Sequence, residues 1–283
     1  MKEGEHNTDI QQVVDMLLLN GTLTDCPGLI HGKMGIAIFF FYYAQCTDNL
    51  LFADYALDLI REMQEQIHIN SSADYEKGIA GIGVGIDYLV RNKFLIAEDD
   101  ICEDFDQRMY RAVMYDPWQD FSKYDGLIGY GKYWISRIHQ TPSMQARECL
   151  LYIVKRIQEE LSNIPINEQI DVYCFLHDLQ EISDFDICIR VLEQCQKWNL
   201  QSIDINRCFS HLGNTAIGNI IRKHQHSWYF NETLQSDIDL KQISDLRMGE
   251  SPVSMGLLTG YAGEGLLRLT ALQQMSKSWI FLL

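Results

Sequence analysis

The closing segment Gly256-Leu-Leu-Thr-Gly260-Tyr-Ala-Gly263-Glu-Gly265-Leu-Leu-Arg-Leu269 decides the predicted fold. From Gly260 onward, three glycines stand at offsets 0, 3 and 5 and lead directly into an apolar stretch of helix-forming residues. Four upstream segments repeat this arrangement, two closely and two loosely: Gly78–Val90, Gly126–Ile138, Gly32–Ala44 and Gly213–Ile221. The leading glycines 78 and 126 lie 48 residues apart, and glycines 213 and 260 lie 47 apart. A period of this size, sustained through the chain, predicts a helical repeat architecture.

Longer, charged segments with amphipathic spacing alternate with the glycine-led ones. The predicted amphipathic helices are Leu51–Ile67, Asp100–Met114, Met144–Leu161 and Asp186–Trp198. Thr141 is the expected N-cap of the third, with Pro142 at its first position. The period also calls for a glycine-free fourth inner helix at Asp171–Asp184.

No strand-like alternation competes with these helical patterns, so we expect an all-α fold. Apolar helices would form an inner ring and amphipathic helices an outer ring, because each repeat must bury its apolar face against its neighbours. Glycines at the starts of the inner helices would let the backbones approach each other where the ring narrows. The whole chain, residues 1–283, is therefore predicted to be a single α/α toroid domain of about six hairpins.

Charge and cysteine content limit the classes of partner. The chain carries 23 basic and 39 acidic residues, a net charge of −16, which argues against nucleic acid and anionic membrane as partners. The start Met1–Asn7 is polar, and the longest apolar run, Ile36–Ala44, is far shorter than the roughly 20 residues that cross a bilayer. The eight cysteines are scattered. We therefore expect a cytoplasmic protein with free thiols and no membrane insertion.

The repeats carry a resemblance to a known family. Gly28-Leu-Ile-His31-Gly32-Lys-Met-Gly35, Gly78-Ile-Ala-Gly81-Ile-Gly83 and the closing segment together resemble the lanthionine synthetase C-like (LanC-like) family over nearly the whole chain. The resemblance implies an α/α toroid. It also implies, for active members, a zinc enzyme that adds a peptide cysteine thiol across a dehydroalanine or dehydrobutyrine to close a thioether ring. This chain shows six units where seven are usual.

Zinc chemistry of this kind needs three protein ligands and one open position for the substrate thiolate. In the family these ligands come from a Trp-Cys-Tyr-Gly motif and a Cys-His-Gly motif. In the glycine register, the first motif with its following Asp-Leu falls on Cys174-Phe-Leu-His177-Asp178-Leu179, and the second falls on His211-Leu-Gly213. All three ligand positions are lost in this register. The family's acid/base histidine falls on Asp125, and an aspartate before its second-repeat glycine corresponds to Asp74.

The resemblance and the lost ligands together lead to the first hypothesis. It describes a LanC-like protein of a peptide-maturation system with a degenerate, zinc-free site, acting as a binding or partner subunit and not as an active zinc cyclase. Its partner would be a peptide substrate or another modification protein, and no cofactor is expected.

Two C-x-x-H pairs keep a zinc site open as an alternative. Cys174-x-x-His177 and Cys208-x-x-His211 lie 34 residues apart at both members, at the predicted mouths of adjacent inner helices. Four such ligands suit a closed, structural zinc site, whereas Cys174 and Cys208 with one of His177 or His211 would give an active cyclase with relocated ligands. The alternative interpretation is that the two cysteines are buried free thiols and that the two histidines cap helices or pack in the core.

A third reading involves aspartates and His31. Asp74, Asp125 and Asp178 are each expected near an inner-helix start, where converging carboxylates suit acid/base work on glycosides in an (α/α) toroid. Aspartate is equally an ordinary capping residue at such positions. His31 either faces the cavity or is a hydrogen-bonded structural histidine. These readings stay open at the level of sequence.

Overall fold

A computed structural model of the chain describes residues 3–68, 70–96, 102–140, 143–182, 186–198, 200, 216–229, 254–258, 260–272 and 275–283. Within these ranges the chain is all-helical, with eleven α-helices and no strand, which confirms the predicted all-α class. The helices pack in neighbouring pairs and form two compact units, each described by itself below. The terminal unit comprises Met1–Asn70 and Ser210–Leu283, and the central unit comprises Ser71–Phe209. The toroid, and the single domain over residues 1–283, stay predictions.

The terminal unit brings both ends of the sequence together. Its α-helices are α1 (Glu3–Asn20), α2 (Lys33–Thr47), α3 (Leu50–Gln66), α10 (Ala216–Tyr229) and α11 (Tyr261–Ala271), and a short 3₁₀ helix at Ser278–Leu282 ends the chain. Helix α2 is buried from its first residue to Ala44 and packs against α3 and α11. A Cβ atom at Gly265 of α11 would lie 2.3 Å from the Phe39 ring of α2, so this helix contact requires a glycine. The first and last glycine-led helices are thus neighbours within the terminal unit.

The central unit has two layers. Its helices are α4 (Ile79–Arg91), α5 (Glu103–Met114), α6 (Leu127–Gln140), α7 (Met144–Glu160), α8 (Ile166–Ile182) and α9 (Asp186–Cys195), followed by a 3₁₀ turn at Gln196–Trp198. Helix α6 contacts both α4 and α8, while the amphipathic α7 contacts both α5 and α9. Apolar helices therefore lie beside apolar ones and amphipathic helices beside amphipathic ones, the layering that the two sequence patterns predict.

Two predicted helix starts are wrong. Helix α8 begins at Ile166 and not at Asp171, because Pro165 supplies the start, and its carbonyl accepts hydrogen bonds from Glu168 N (2.9 Å) and Gln169 N (3.1 Å). The N-cap of α7 is Ser143 and not Thr141, since the Ser143 hydroxyl accepts from Ala146 N at 3.2 Å. Thr141 and Pro142 lie outside the described residues.

Candidate functional site

The central unit gathers charged side chains between α6 and α8. Asp171, Cys174 and Asp178 follow each other at spacings of three and four residues along α8 and so share one face of that helix. Lys132, in the neighbouring α6, forms an ion pair through its Nζ with Asp178 Oδ2. The side chains of this pair are 12% and 25% exposed, respectively, so the pair is largely withdrawn from water.

A second lysine joins this group from the loop before α6. The backbone N–H of Lys123 donates to Asp171 Oδ2 at 2.9 Å, and two residues earlier Phe121 N donates to Glu168 Oε2 at 2.8 Å. Two carboxylates of α8 therefore hold this loop in place. The Lys123 residue is 8% exposed, and its Nζ lies 5.3 Å from the centroid of the buried Tyr75 ring, a cation–π distance. We call Lys123, Lys132, Asp171, Cys174, Asp178 and Tyr75 the lysine cluster.

The two lysines of the cluster differ in protonation. Burial lowers the pKa of Lys123 to about 7, and the nearby Lys132 ammonium adds to this effect, while Asp171, Cys174 and Asp178 oppose it. Burial acts against the charged form of Lys132 as well, but the charge of Asp178 and its hydrogen bond outweigh burial and raise the pKa of Lys132. The cluster therefore holds one firmly charged ammonium beside one amine that is partly neutral at pH 7.

The thiol and the phenol of the cluster stay protonated near neutral pH. Burial raises the pKa of Cys174, and Asp178 and Asp171 add to this rise although the two lysines counter it. Burial and the charge of Asp178 likewise raise the pKa of Tyr75. Neither group is therefore an anionic nucleophile in this environment.

The structure places the residues predicted on α8 differently from the sequence pattern. Cys174, His177 and Asp178 lie in the middle and C-terminal half of α8, since the helix begins at Ile166, and not near its start. Cys174 and Asp178 belong to the lysine cluster. The His177 ring lies tilted against Tyr173, with 6.4 Å between ring centroids.

The other two predicted aspartates come together elsewhere in the central unit. Asp74 Oδ1 accepts from Lys77 N (2.7 Å) and Gly78 N (3.1 Å), so it caps the turn that leads into α4. Asp125 is exposed, yet partial desolvation raises the pKa of its carboxyl. The nearby charges of Glu76 and Asp74 raise this pKa further. Asp74 and Asp125 thus share one acidic loop region, whereas Asp178 lies in the lysine cluster.

The remaining predicted residues are distributed as follows. His31 belongs to the terminal unit, where it is half-buried in the loop before α2 and its backbone packs closely against Gly256. Cys208 and His211 lie outside the described residues, so the second C-x-x-H pair has no described geometry. Among the residues that the structure describes, no group of three or more histidines, cysteines, aspartates or glutamates is placed to hold a metal ion.

A surface groove of about 470 Å³ lies on the same unit, lined by Trp118, Asp120, Arg156, Glu168 and neighbouring residues. An aromatic ring beside carboxylates is a combination that suits sugar binding. Two of the three acidic residues of the groove, however, already hold the local loop: Asp120 Oδ1 accepts from the N and Oγ of Ser122 (3.2 and 3.0 Å), and Glu168 accepts from Phe121 N. These two carboxylates therefore accept hydrogen bonds that hold the loop in place.

Sequence reasoning found Cys174 and Asp178 but missed both lysines. Lys132 did give a signal, because it is a charged residue inside an otherwise apolar glycine-led segment. Lys123 gave none, since its burial depends on a loop held by Asp171, which lies 48 residues away in the sequence.

Comparison with known proteins finds no relative of the chain. No family model, no curated protein and no solved structure matches the chain. In the described part of the chain, no helix has both the length and the apolarity needed to cross a membrane.

Proposed function

We propose that the chain is a LanC-like protein of a thioether-type peptide-maturation system, which binds a peptide or a partner modification protein without a zinc centre. The proposal rests on the glycine-led repeats, on their resemblance to the LanC-like family, and on the composition of the lysine cluster. A cytoplasmic location with reduced thiols is part of the proposal.

One observation carries the zinc-free part of the proposal. The stretch of α8 that corresponds to the family's Trp-Cys-Tyr-Gly-Asp-Leu motif contains Cys174 and Asp178, and the Lys132 ammonium is paired with Asp178 there. A lysine ammonium brings one positive charge and three N–H donors but offers no coordination position for a substrate thiolate. It therefore neutralises the acidic face of α8 without supplying the chemistry of a cyclase.

The described residues do not fit a zinc ion at this position. Zinc binds cysteine as thiolate, and burial raises the pKa of the Cys174 thiol, so a zinc ion would have to displace its proton against that shift. Lys123 and Lys132 both lie close enough to lower the pKa of that thiol, so they would also repel a divalent cation. A cyclase with relocated ligands would need Cys208 and His211 to overcome this repulsion.

The glycoside reading has less support. It needs carboxylates free to exchange protons with a substrate. Asp74 accepts two backbone hydrogen bonds as a cap, and Asp178 is engaged by Lys132. Among the three aspartates on which that reading relied, Asp125 alone is exposed.

Metal content tests the zinc-free part directly. Protein purified without chelator is analysed by plasma mass spectrometry beside Cys174→Ala and Cys208→Ala variants, and thermal unfolding is recorded with and without EDTA. We expect well under one zinc per chain and no change of Tm with EDTA. About one zinc per chain, lost in both variants, would replace this proposal with the cyclase reading.

Peptide binding tests the other part. Fluorescence anisotropy is measured with a labelled peptide that carries one cysteine and one dehydroalanine, and the free thiol is counted after incubation. Saturable binding with full retention of the thiol is the expected result. Absence of binding to this peptide and to a serine-for-dehydroalanine control would contradict a peptide-binding function, and loss of thiol would again favour a cyclase.

A further inference from the structure

The surface groove of the central unit combines an exposed aromatic ring with charged and amide side chains. The loop before α6 contributes Trp118 and Gln119, and helix α7 contributes Arg156 and Glu160. All residues that line the groove belong to the central unit. Its volume of about 470 Å³ lies in the lower half of the range of about 300–1,000 Å³ that is usual for small-molecule sites. The groove is therefore large enough for a small ligand and too small for a long one.

Trp118 gives the groove an aromatic surface that the protein holds in place. The residue is 50% exposed, although tryptophan is largely buried in most proteins. Its side chain is hydrogen-bonded to that of Tyr130, a residue of α6 that is 2% exposed. Because indole has a single N–H donor and no acceptor, this bond fixes the polar edge of the ring. Trp118 therefore offers a ligand an apolar ring surface and no free donor.

The carboxylates beside Trp118 supply hydrogen-bond acceptors. The groove contains Asp120, Glu160 and Glu168. Glu160 Oε2 accepts from Asn163 Nδ2 at 3.0 Å, and the other two carboxylates hold the loop before α6 as described above. A carboxylate has about four lone-pair sites, so one or two such bonds leave acceptor sites for a ligand.

Arg156 supplies hydrogen-bond donors. Its ion pair with Glu159 has 3.6 Å between Nη1 and Oε2, which is beyond hydrogen-bond length, and the Glu159 side chain is 63% exposed. The Nε of Arg156 has no hydrogen-bond partner among the described residues. A guanidinium carries five N–H donors in a planar fork, so Arg156 can serve acceptor groups of a ligand in addition to Glu159.

We propose that this groove binds a neutral saccharide of one or two rings, stacked on Trp118. A hydroxyl group both donates and accepts, so neighbouring sugar hydroxyls match the carboxylates and Arg156 at the same time. The C–H face of a sugar ring is apolar and suits the aromatic surface. An anion would meet three carboxylates against one guanidinium, and a cation would leave the donors of Arg156 unmatched. This inference does not depend on the proposed peptide-binding function, and it concerns binding and not cleavage of a glycosidic bond.

A titration of the full-length wild-type protein tests this inference. The indole N–H signals of isotope-labelled protein are followed in proton–nitrogen NMR spectra during addition of cellobiose, maltose, lactose or diacetylchitobiose. The chain has five tryptophans, and the Trp118 signal is identified as the one that is missing in Trp118→Phe. We expect at least one of these disaccharides to shift the Trp118 signal saturably, with a Kd of about 1 mM or tighter, while the other indole signals stay in place.

Variants and salt identify the contacts that bind the disaccharide. Isothermal titration calorimetry should show binding weakened about fivefold or more in Trp118→Ala, because stacking is lost, whereas Trp118→Phe should keep most of the affinity. The matched control is Trp228→Ala, since Trp228 is 46% exposed but lies in the terminal unit, and this variant should bind like wild type. Raising NaCl from about 0.05 M to about 0.5 M should change the Kd less than about twofold, because the ligand is uncharged.

Three outcomes would overturn the proposal. It is wrong if none of the four disaccharides shifts the Trp118 signal at about 10 mM, a concentration well above the expected Kd. It is also wrong if folded Trp118→Ala, checked by thermal unfolding, binds as tightly as wild type. A shift of the Trp118 signal by spermidine, with no shift by any disaccharide, would show that the groove is a cation site. The wild-type titration decides the question even if Trp118→Ala does not fold.

Discussion

Replacing Asp178 by asparagine would remove the counter-charge of Lys132 while keeping the size of the side chain. The wild-type pair lies between α6 and α8, and the Lys132 side chain is 12% exposed. Its ammonium would then remain in a largely buried position, with an amide oxygen in place of the carboxylate. We expect this single change to destabilise the central unit strongly, although it keeps the volume of the side chain.

The exposures of the two side chains set the magnitude. Breaking a fully buried ion pair by removing one partner costs about 3–5 kcal/mol. Two features reduce that figure here: Asp178 is 25% exposed, and asparagine keeps one hydrogen-bond acceptor. We therefore expect Asp178→Asn to lower the free energy of unfolding by about 2 kcal/mol at pH 7. Changing both residues, as Lys132→Met with Asp178→Leu, should restore most of the loss, because apolar replacement of a buried pair is often nearly neutral.

Urea unfolding followed by far-UV circular dichroism and by tryptophan fluorescence measures these differences. Amide hydrogen exchange of α6 and α8 gives a second value for the central unit alone, which is useful if the two units unfold separately. The matched control is Asp58→Asn, which breaks the Asp58–Arg61 pair on α3, where the side chains are 62% and 69% exposed. That control should change stability by less than about 0.5 kcal/mol.

A result in which Asp178→Asn is no more destabilising than Asp58→Asn would refute this reasoning. It would mean that the Lys132 ammonium is as well solvated without Asp178 as with it. The same conclusion would follow if the double variant were less stable than the sum of its single variants, since the coupling between the two residues would then have the wrong sign.

Three further predictions concern packing, chain closure and pH. Gly131→Ala should lower the free energy of unfolding by about 1–2 kcal/mol in urea, because its Cβ would lie 2.4 Å from the buried Phe175 ring and this overpacking outweighs the helix propensity of alanine. Removal of Gly256–Leu283 should give an insoluble chain or one without a cooperative thermal transition, since it deletes α11 and exposes the apolar faces of α1 and α2; a soluble, cooperatively melting product would contradict this. Lys123 has a folded-state pKa below its unfolded value, so unfolding takes up a proton above about pH 7 and its contribution to stability rises with pH. The stability of wild type relative to Lys123→Met should therefore increase by about 1–2 kcal/mol from pH 7 to pH 9 in urea titrations, and a constant difference would show that Lys123 is charged in the folded protein.

The sequence pattern predicted the helices well because their signals are local. Helix α3 was predicted at Leu51–Ile67 and occupies Leu50–Gln66, a shift of one residue at each end. Helix α8 was placed five residues too late, because the glycine period was followed and Pro165 was overlooked as a start signal. The glycine period did not mark the first residue of a helix that lacks the glycines.

The candidate site was harder to predict because its members meet through packing. Lys132 and Asp178 are 46 residues apart in the sequence, and they become neighbours only when α6 and α8 lie side by side. The glycine register alone identified Cys174 and Asp178, because the proposed resemblance aligns this stretch with a family motif. It could not identify Lys123, whose low exposure arises from the backbone hydrogen bond that Asp171 makes to its loop.

The lysine cluster also shows how the packing of two helices can keep an acidic side chain largely buried. Asp178 needs a positive charge nearby, because a largely buried carboxylate without one is unfavourable. Lys132 supplies that charge from the neighbouring helix α6. Burial, followed by the charge of the nearby Lys132, lowers the pKa of the second amine, Lys123. The protonation of both lysines therefore depends on how α6, α8 and the loop before α6 pack together.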